Sequence, residues 1–262
     1  MKSVIITGAF GGMGFEATKL FKEMGYTVFA MDKKVGELDG VYSIETDVAS
    51  EESVNKAFEK ISSITNGVDL IVHYAGIYAL DSLVEMSAND FKSVFEINLF
   101  GVYLVNKTFL PLIKKGGKII ITTSELAPLD PLPFTGIYAI SKGALDKYAY
   151  SLKMELQLLD ISVSVLRLGA VKTNMLGAST TALDKFIDNT KLYSCNAKRF
   201  RDIVNKVEAK NVPPIKVAKK TYKIALKKSP AFAYSLNRNF LLLLLNALPK
   251  RLQLYIIKKI LE

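Results

Sequence analysis

The chain has 262 residues, half of them apolar, which is enough for the core of one large α/β domain or two small ones. Its single cysteine, Cys195, excludes an intrachain disulfide and favours a reducing, cytoplasmic setting. The net charge of +10 arises in residues 198–262, which carry 16 Lys or Arg against 3 Asp or Glu. No nucleic-acid motif or zinc-ligand spacing accompanies this basic stretch, so we predict neither a nucleic-acid partner nor a metal site. The apolar run after Met1 is too short for a signal peptide and indicates a first strand.

The first strand, turn and helix predict a cradle for a dinucleotide phosphate. Val4–Ile6 form a buried-type strand, and a helical apolar pattern runs from Phe15 to Gly25. The turn between them is rich in glycine, which lets the backbone approach a pyrophosphate, and the helix N-terminus attracts its charge. A tight turn without a ligand is the alternative. The candidate cofactor contacts of this turn are Gly8, Phe10, Gly11, Gly12, Met13 and Gly14.

An acidic residue follows the second predicted strand, 27–31. This residue, Asp32, can accept hydrogen bonds from the ribose hydroxyls of an adenosine. Because its carboxylate would repel a 2′-phosphate, Asp32 favours NAD over NADP. Lys33 and Lys34 follow directly and could compensate a phosphate, so NADP stays open.

The third and fourth predicted strands, 41–44 and 68–73, lead to further candidate cofactor contacts. Asp47 lies where an adenine amino group could be met, although it could equally be an ordinary loop carboxylate. The other candidates after these strands are Val48, Ala75 and Gly76.

A long helix is predicted from Asn89 to Phe109, with a kink in its middle. Asn98 is a poor mid-helix residue, and Gly101 weakens the helix further. This combination predicts an interruption that serves a purpose.

The fifth predicted strand, 118–124, ends in the hydroxyl of Ser124, and a helix follows that contains Tyr138 and Lys142. These two residues are four positions apart and therefore share a helix face. A phenol has an ordinary pKa of about 10, so it needs a lower pKa to take part in acid–base chemistry near neutrality. A nearby ammonium lowers the pKa because it favours the phenolate. Taken alone, the pair could equally be a surface tyrosine stacked on a lysine stem.

Strands and helices alternate six times, which predicts an α/β fold: a doubly wound, Rossmann-type parallel sheet with helices on both faces. The sixth strand, 161–168, runs towards Val171 and Thr173, and residues 231–234 are a candidate seventh strand. In such sheets ligands bind beyond the carboxyl ends of the strands, which is where the candidate residues fall.

The motifs together resemble the short-chain dehydrogenase/reductase family over residues 2–175, with a weaker likeness to residue 262. The resemblance rests on the glycine turn, on Asp32, Asp47–Val48, Ala75–Gly76, Asn98, Ser124, Tyr138, Lys142, and on Gly169-x-Val171-x-Thr173. It implies an NAD(P)-dependent oxidoreductase that interconverts a secondary alcohol and a carbonyl, active as a homodimer or homotetramer. Two departures are His73-Tyr74, where the family has two asparagines, and Leu168, where it has proline. His73 is expected to be structural.

The resemblance also implies a catalytic tetrad. Tyr138 is expected to act as general acid/base on the substrate oxygen, and Lys142 to lower the Tyr138 pKa and hold the nicotinamide ribose. Ser124 is expected to polarise the substrate oxygen, and Asn98 to hold the kinked helix and a water of the proton relay. The cofactor is further expected to contact Tyr138, Lys142, Val171 and Thr173. A noncatalytic dinucleotide-binding or membrane-surface interaction protein on the same fold is the alternative.

The C-terminal part predicts a substrate lid over 174–225, with Met175 and Leu176 near the cleft, on a single domain of residues 1–236. An extension over 237–262 follows. Its run 240–249 is too short to span a bilayer, and 250–261 is amphipathic and basic, as a helix lying on an anionic membrane would be. A helix buried against a partner subunit or the substrate cleft is the alternative. The tail resembles that of the retinol and steroid branch of the family, which implies an apolar substrate such as a steroid or retinoid.

Overall fold

The computed structural model describes the backbone of residues 1–262 and all side chains except those of 174–180 and 207–208, so Met175 and Leu176 lie outside the described side chains. Seven parallel strands form one sheet in the order β3-β2-β1-β4-β5-β6-β7. The strands are β1 Ser3–Thr7, β2 Thr27–Asp32, β3 Tyr42–Glu45, β4 Val68–His73, β5 Ile113–Ser124, β6 Ser162–Leu168 and β7 Ala233–Leu236. The predicted doubly wound sheet is confirmed.

Helices cover both faces of the sheet. They are α1 Gly12–Glu23, α2 Glu51–Ser62, α3 Ala88–Phe95, α4 Gly101–Phe109, α5 Gly136–Leu156, α6 Asn174–Asn189, α7 Ser194–Glu208, α8 Pro214–Ala225, α9 Phe240–Ala247 and α10 Lys250–Leu261. The apolar sides of α2, α4 and α5 pack on one face of the sheet, and those of α1 and α8 pack on the other.

The order of strands reverses between β1 and β4, because β2 and β3 extend the sheet on one side and β5 to β7 extend it on the other. This is the switch point at which open α/β sheets bind ligands.

The bounds of two strands, β5 and β7, differ from the sequence-based prediction. Strand β5 begins at Ile113, five residues earlier than predicted. Strand β7 covers Ala233–Leu236 instead of 231–234, because Val165–Leu168 of β6 pair with those four residues. The Ala231 N–H instead donates to the Tyr234 hydroxyl, 2.8 Å away.

His73, the last residue of β4, and Tyr74, which follows it, each connect the sheet to a helix on one of its faces. The His73 ring lies 2.9 Å from Asn106 Oδ1 on α4, and burial lowers the pKa of His73 to about 4, so the ring is neutral at pH 7. The Tyr74 hydroxyl donates to Thr221 Oγ1 on α8 at 2.6 Å. The contacts of His73 support the structural function expected of it.

A third apolar cluster joins the C-terminal helix to the helices before it. Leu261 of α10 packs with Phe186 of α6 and Phe200 of α7, and the Asn196 amide donates to the Leu261 carbonyl at 2.8 Å. Helix α8, by contrast, packs with α1 on one face of the sheet, although it falls within the predicted lid 174–225. The division into a domain, a lid and an extension stays a prediction.

Candidate active site

A groove of about 470 Å³ lies at the carboxyl ends of β1, β2 and β4. Predicted cofactor residues line it, namely Gly8, Phe10, Gly11, Gly12, Met13, Gly14, Asp32, Asp47, Val48, Ala75, Gly76 and Thr173. Thr46, Lys33, Lys34, Ile77 and Ile97 line it as well. The structure thus brings together residues that are spread over 166 positions of the chain.

The glycine turn is built for close backbone approach. Gly8 has a φ of +66°, and a Cβ there would lie 2.6 Å from the Ala75 nitrogen. A Cβ on Gly14 would lie 2.0 Å from the Gly8 carbonyl oxygen. Helix α1 begins after Gly11 with no capping side chain and no acidic residue in its first turn. Its first amides therefore suit an anion, and the turn fits the pyrophosphate of a dinucleotide.

The loop after β6 closes the other side of the cradle. A Cβ on Gly12 would lie 2.8 Å from the Thr173 side chain. The Lys172 N–H donates to the Val212 carbonyl at 2.9 Å, which fixes this loop against the segment before α8. Val171, another predicted cofactor residue, lines the neighbouring cavity.

The two acidic candidates of the groove have different partners. Asp32 accepts backbone N–H groups, from Phe10 at 2.8 Å and from Lys34 at 3.2 Å. Asp47 accepts from the Lys33 ammonium at 2.7 Å, and this contact lowers the pKa of Asp47. The sequence did not indicate that Lys33 and Asp47 form an ion pair. This pair engages one carboxylate oxygen of Asp47, the residue expected to contact the adenine.

A second cavity of about 210 Å³ adjoins the groove, and Met13, Tyr74, Gly76 and Thr173 border both. Ser124, Tyr138 and Lys142 line this cavity together. A molecule that extends from the groove past Gly76 and Thr173 would therefore reach all three.

Asn98 shows why the long helix is interrupted. Residues Glu96–Phe100 form a π-helical turn between α3 and α4, where the kink was predicted. The turn places the fully buried Asn98 so that Oδ1 accepts the Ile77 N–H at 2.8 Å and Nδ2 donates to the Ile77 carbonyl at 3.0 Å. Nδ2 also donates to Ser141 Oγ at 3.2 Å, and Ser141 Oγ donates to the Tyr138 carbonyl at 2.8 Å. Asn98 thus connects the loop after β4 to the helix that carries Tyr138.

The Lys142 ammonium and the Asn98 amide both lie beside Gly76. A Cβ on Gly76 would lie 3.1 Å from Asn98 Oδ1 and 3.3 Å from Lys142 Nζ. The absent side chain of Gly76 therefore leaves the space in which these two polar groups approach the cofactor groove.

Burial dominates the electrostatics of the tyrosine–lysine pair. Helix α5 places Lys142 Nζ 5.8 Å from the centre of the Tyr138 ring. Burial raises the pKa of Tyr138 to about 12, against the opposing effect of a hydrogen bond with Ser124. Burial also lowers the pKa of Lys142 to about 8. The Tyr138 pKa is therefore not lowered as expected from Lys142, because desolvation of the phenolate outweighs an ammonium at this distance.

Several residues of the cavity were missed by the sequence analysis. The Tyr78 ring lies 4.7 Å from the Tyr138 ring, and Glu125 lines the cavity directly after Ser124. Helices α7 and α9 add an apolar wall of Phe200, Ile203, Val204 and Leu242. No sequence motif marks these positions, although the carboxyl-end position of Glu125 could have suggested it.

Comparison with known proteins decides the family. The family model described as short chain dehydrogenase matches residues 2–184. The chain belongs to the short-chain dehydrogenase family. The family resemblance of the motifs is thereby confirmed.

Two similar proteins have names that refer to estradiol and to 3-ketodihydrosphingosine. The chain is 30% identical to estradiol 17-beta-dehydrogenase 2 of Mus musculus, over 68% of this chain and 50% of that protein. It is 27% identical to 3-ketodihydrosphingosine reductase of Bacteroides thetaiotaomicron, over 87% of this chain and 85% of that protein. The chain thus spans only about half the length of the mouse relative.

A solved structure shares the fold of this short-chain dehydrogenase. It is an alcohol dehydrogenase from the archaeon Thermococcus sibiricus complexed with 5-hydroxy-NADP, with a TM-score of 0.71 and 24% identity. The match covers 90% of this chain and 96% of that one.

The described residues of the short-chain dehydrogenase contain no group of three or more His, Cys, Asp or Glu side chains placed to hold a metal ion. Within the same residues, no helix has the length and apolar character needed to cross a bilayer.

Proposed function

We propose that this short-chain dehydrogenase is an NAD(P)-dependent oxidoreductase that interconverts a secondary alcohol and a carbonyl. The observation that carries the proposal is that Ser124, Tyr138 and Lys142 line one cavity, which shares bordering residues with the adjoining glycine-rich groove. A nicotinamide cofactor, when bound, supplies or accepts the hydride. The groove residues from Gly8 to Gly14, with Asp32 and Thr173, would hold it.

The protein's own residues perform the proton chemistry. In the reductive direction Tyr138 donates its phenolic proton to the substrate oxygen, while the Ser124 hydroxyl hydrogen-bonds the same oxygen and stabilises its developing charge. The Lys142 ammonium stabilises the phenolate that remains, and Asn98 keeps the Tyr138 helix and the Ile77 loop in register. In the oxidative direction the proton moves back to Tyr138.

Reductase activity is expected to fall above pH 8. Lys142 has its pKa lowered to about 8, so it is charged below that pH and loses its proton above it. Since the ammonium stabilises the Tyr138 phenolate, kcat/KM for carbonyl reduction should decline by about tenfold per pH unit well above pH 8. The measurement is a pH profile of kcat/KM. In Lys142→Arg the guanidinium stays charged, so any remaining activity should lack this decline; an unchanged decline would remove Lys142 as its source.

The activity is tested by following absorbance at 340 nm with NADH or NADPH and a panel of hydroxysteroids, retinoids and simple secondary alcohols with their ketones. The proposal expects oxidation of the reduced cofactor to depend on the carbonyl compound. The alternative, a noncatalytic dinucleotide-binding or interaction protein, expects cofactor binding without turnover for the whole panel.

NAD is proposed as the preferred cofactor. The Asp32 carboxylate is fixed in the groove by two backbone N–H groups, and the Lys33 ammonium is already paired with Asp47. A 2′-phosphate would therefore meet a fixed negative charge, with one of the two compensating cations engaged elsewhere. The NADP analogue in the archaeal structure is the reason to assay both cofactors.

Asp32→Asn is expected to raise kcat/KM for NADPH by about tenfold or more relative to NADH, which corresponds to about 1.4 kcal/mol. The amide oxygen can still accept from a backbone N–H, so the main loss is the charge that repels the phosphate. Paired kinetics with both cofactors measure the ratio. Asp39→Asn, at an exposed carboxylate outside the groove, is the control and should leave the ratio unchanged.

A lipophilic alcohol or ketone, such as a steroid, retinoid or other lipid, is the proposed substrate class. Most of the cavity wall is apolar, and it includes Leu126, Leu132, Leu168, Val171, Phe200, Ile203, Val204 and Leu242. The names of the mouse and Bacteroides relatives, which refer to estradiol and ketodihydrosphingosine, agree with such a class.

Peripheral contact with an anionic membrane through the C-terminal helices is also proposed. Phe240 and Leu241 of α9 are 68% and 70% exposed, and exposed Lys250, Arg251, Lys258 and Lys259 lie on α10. Apolar side chains beside basic ones are the composition of a membrane-surface helix. On the inner side of α9, Leu242 lines the substrate cavity.

A Phe240→Ser/Leu241→Ser double variant is expected to lose most of its flotation with vesicles of anionic lipid. Serine at both positions removes about half or more of the apolar side-chain area that each residue would insert into the membrane interface. The matched control is Leu158→Ser, at a leucine that is 81% exposed on the α5–β6 connection. If wild type, control and double variant float to the same extent, a membrane contact through Phe240 and Leu241 is excluded.

A homodimer or homotetramer is proposed as the assembled state, as the family resemblance implies. Exposed aromatic side chains support it, since Phe100 and Tyr103 around the start of α4 and Tyr150 on α5 lie outside the core. Light scattering of the purified protein measures the state directly.

A further inference from the structure

Glu125 supplies the one carboxylate among the described side chains that line the substrate cavity. It directly follows Ser124, is only 8% exposed and has its carboxyl pKa raised by burial. A carboxylate is costly to bury unless hydrogen-bond donors surround it. Its position beside the proposed reacting groups therefore requires an explanation.

The two oxygens of Glu125 have different surroundings. Oε2 accepts the Asn239 N–H at 2.5 Å, at the beginning of α9. Oε1 has no hydrogen bond with any residue that the structure describes. Within the same residues every fully buried side-chain oxygen or nitrogen has a partner, so Oε1 must reach open space. Glu125 lines the cavity, which is the space available to it.

Gly169 packs closely between Glu125 and the segment before α9. A Cβ on Gly169 would lie 3.0 Å from Glu125 Oε1 and 1.8 Å from the Asn237 carbonyl oxygen. The absence of a side chain at this position therefore lets the Asn237 backbone and Glu125 lie against the loop after β6.

We propose that Glu125 is a specificity-determining residue whose Oε1 accepts a hydrogen bond from a hydroxyl or ammonium group of the substrate. The inference rests on the proposed function, in which Ser124 and Tyr138 hold the reacting oxygen. Because Glu125 directly follows Ser124 and lines the same small cavity as Tyr138, the donor group is placed on a carbon near the carbonyl. The substrate class is therefore a lipophilic ketone or alcohol with a neighbouring hydroxyl or amine, in place of a plain hydrocarbon ketone.

A purely structural function of Glu125 is the competing explanation. In that case the carboxylate would only anchor the C-terminal helices through the Asn239 N–H. The anchor uses Oε2, and the charge of Arg238 also favours the carboxylate. Neither interaction gives Oε1 a hydrogen-bond donor among the residues that the structure describes. The two explanations differ in whether substrate preference depends on Glu125.

The test compares a medium-chain ketone with its derivatives that carry a hydroxyl or a primary amine on the carbon next to the carbonyl. The full-length wild type should prefer a donor-bearing ketone. In Glu125→Leu the ratio of kcat/KM between donor-bearing and plain ketone should fall by about 10- to 100-fold, as expected for a lost hydrogen bond to a charged group. Turnover of the plain ketone by Glu125→Leu is measured as the reference for this ratio, so a general loss of activity does not count as a loss of preference.

Glu125→Gln keeps the anchor and changes only the group at the position of Oε1. Its single amide oxygen is needed by the Asn239 N–H, so the amide NH2 takes the position of Oε1 and cannot accept a hydrogen bond. Preference for the hydroxyketone and for the aminoketone should therefore both be lost.

Variants of Asn239 separate recognition from anchoring. Asn239 has a φ of −83°, close to what proline adopts, so Asn239→Pro removes the anchoring N–H while leaving Glu125 in place. Asn239→Ala keeps the N–H and serves as its control for the lost side-chain cap. The proposal expects both variants to retain the donor preference.

Two results would overturn the inference: a wild type without donor preference, or a donor preference that Glu125→Leu retains. Loss of preference in Asn239→Pro but not in Asn239→Ala would establish the anchoring explanation instead. If no ketone is turned over at all with either cofactor, the proposed function itself fails, and this outcome is distinct from the others.

Discussion

Tyr138→Phe is expected to lose between 10² and 10⁴ in kcat while still binding the dinucleotide, the range typical of a positioned acid–base group. The phenol is the group that we propose to protonate the substrate oxygen. The phenyl ring keeps its packing 4.7 Å from Tyr78, and the groove residues are unchanged, so structure and cofactor affinity should persist. Steady-state turnover at 340 nm and titration of cofactor fluorescence measure the two quantities.

Tyr150→Phe is the matched control on the same helix. Tyr150 is 51% exposed and packs edge-on against Phe232, a contact that phenylalanine retains. Its activity should equal that of wild type. Turnover of Tyr138→Phe within about tenfold of wild type would remove Tyr138 as the acid, since even the lower limit for such groups is larger.

Gly14→Ala should abolish dinucleotide binding and lower the free energy of unfolding by about 3 kcal/mol or more, the upper part of the range for overpacking a close-packed site. The added methyl group would lie 2.0 Å from the Gly8 carbonyl oxygen and 2.9 Å from the Ala9 Cα. Both are backbone atoms, so relief requires the turn itself to move. The melting temperature should fall by about 6–12 °C, and calorimetry together with cofactor titration measures both effects.

Gly11→Ala tests the same turn against the same carbonyl. Its Cβ would lie 3.4 Å from the Gly8 oxygen, an ordinary contact, and its φ of −74° suits alanine. The melting temperature should stay within about 2 °C of wild type, as for a change below 0.5 kcal/mol. Equal destabilisation of both variants would show that close packing of Gly14 does not hold the cradle.

The sequence was most informative where chemistry follows a local pattern. The spacing of Tyr138 and Lys142 places both on one helix face, and the glycine-rich pattern marks a turn in which a Cβ on Gly8 or Gly14 would clash with the backbone. Asn98 and Gly101 predicted the interruption that the structure contains as a π-helical turn. In each case the decisive contacts lie within a few residues of one another or at the ends of predictable strands.

Contacts between distant parts of the chain could not be predicted in this way. Glu125 meets Asn239, which is 114 positions away, and Lys33 meets Asp47 across the end of the sheet. The balance of charge at Tyr138 depends on how completely the surrounding elements exclude water. Burial is a property of the packed molecule, so the effect of Lys142 on Tyr138 was overestimated from spacing alone.

Transfer of deuterium from NADH labelled at C4 of the nicotinamide tests the central proposal most directly. The wild-type enzyme is incubated with each C4-deuterated epimer and a ketone that supports oxidation at 340 nm, and the product alcohol is analysed by mass spectrometry. The proposal expects one epimer to place a single deuterium on the alcohol carbon, and Tyr138→Phe to form this product at least about 10²-fold more slowly. Cofactor that binds to the wild type but yields no deuterated alcohol from any ketone of the panel would contradict it.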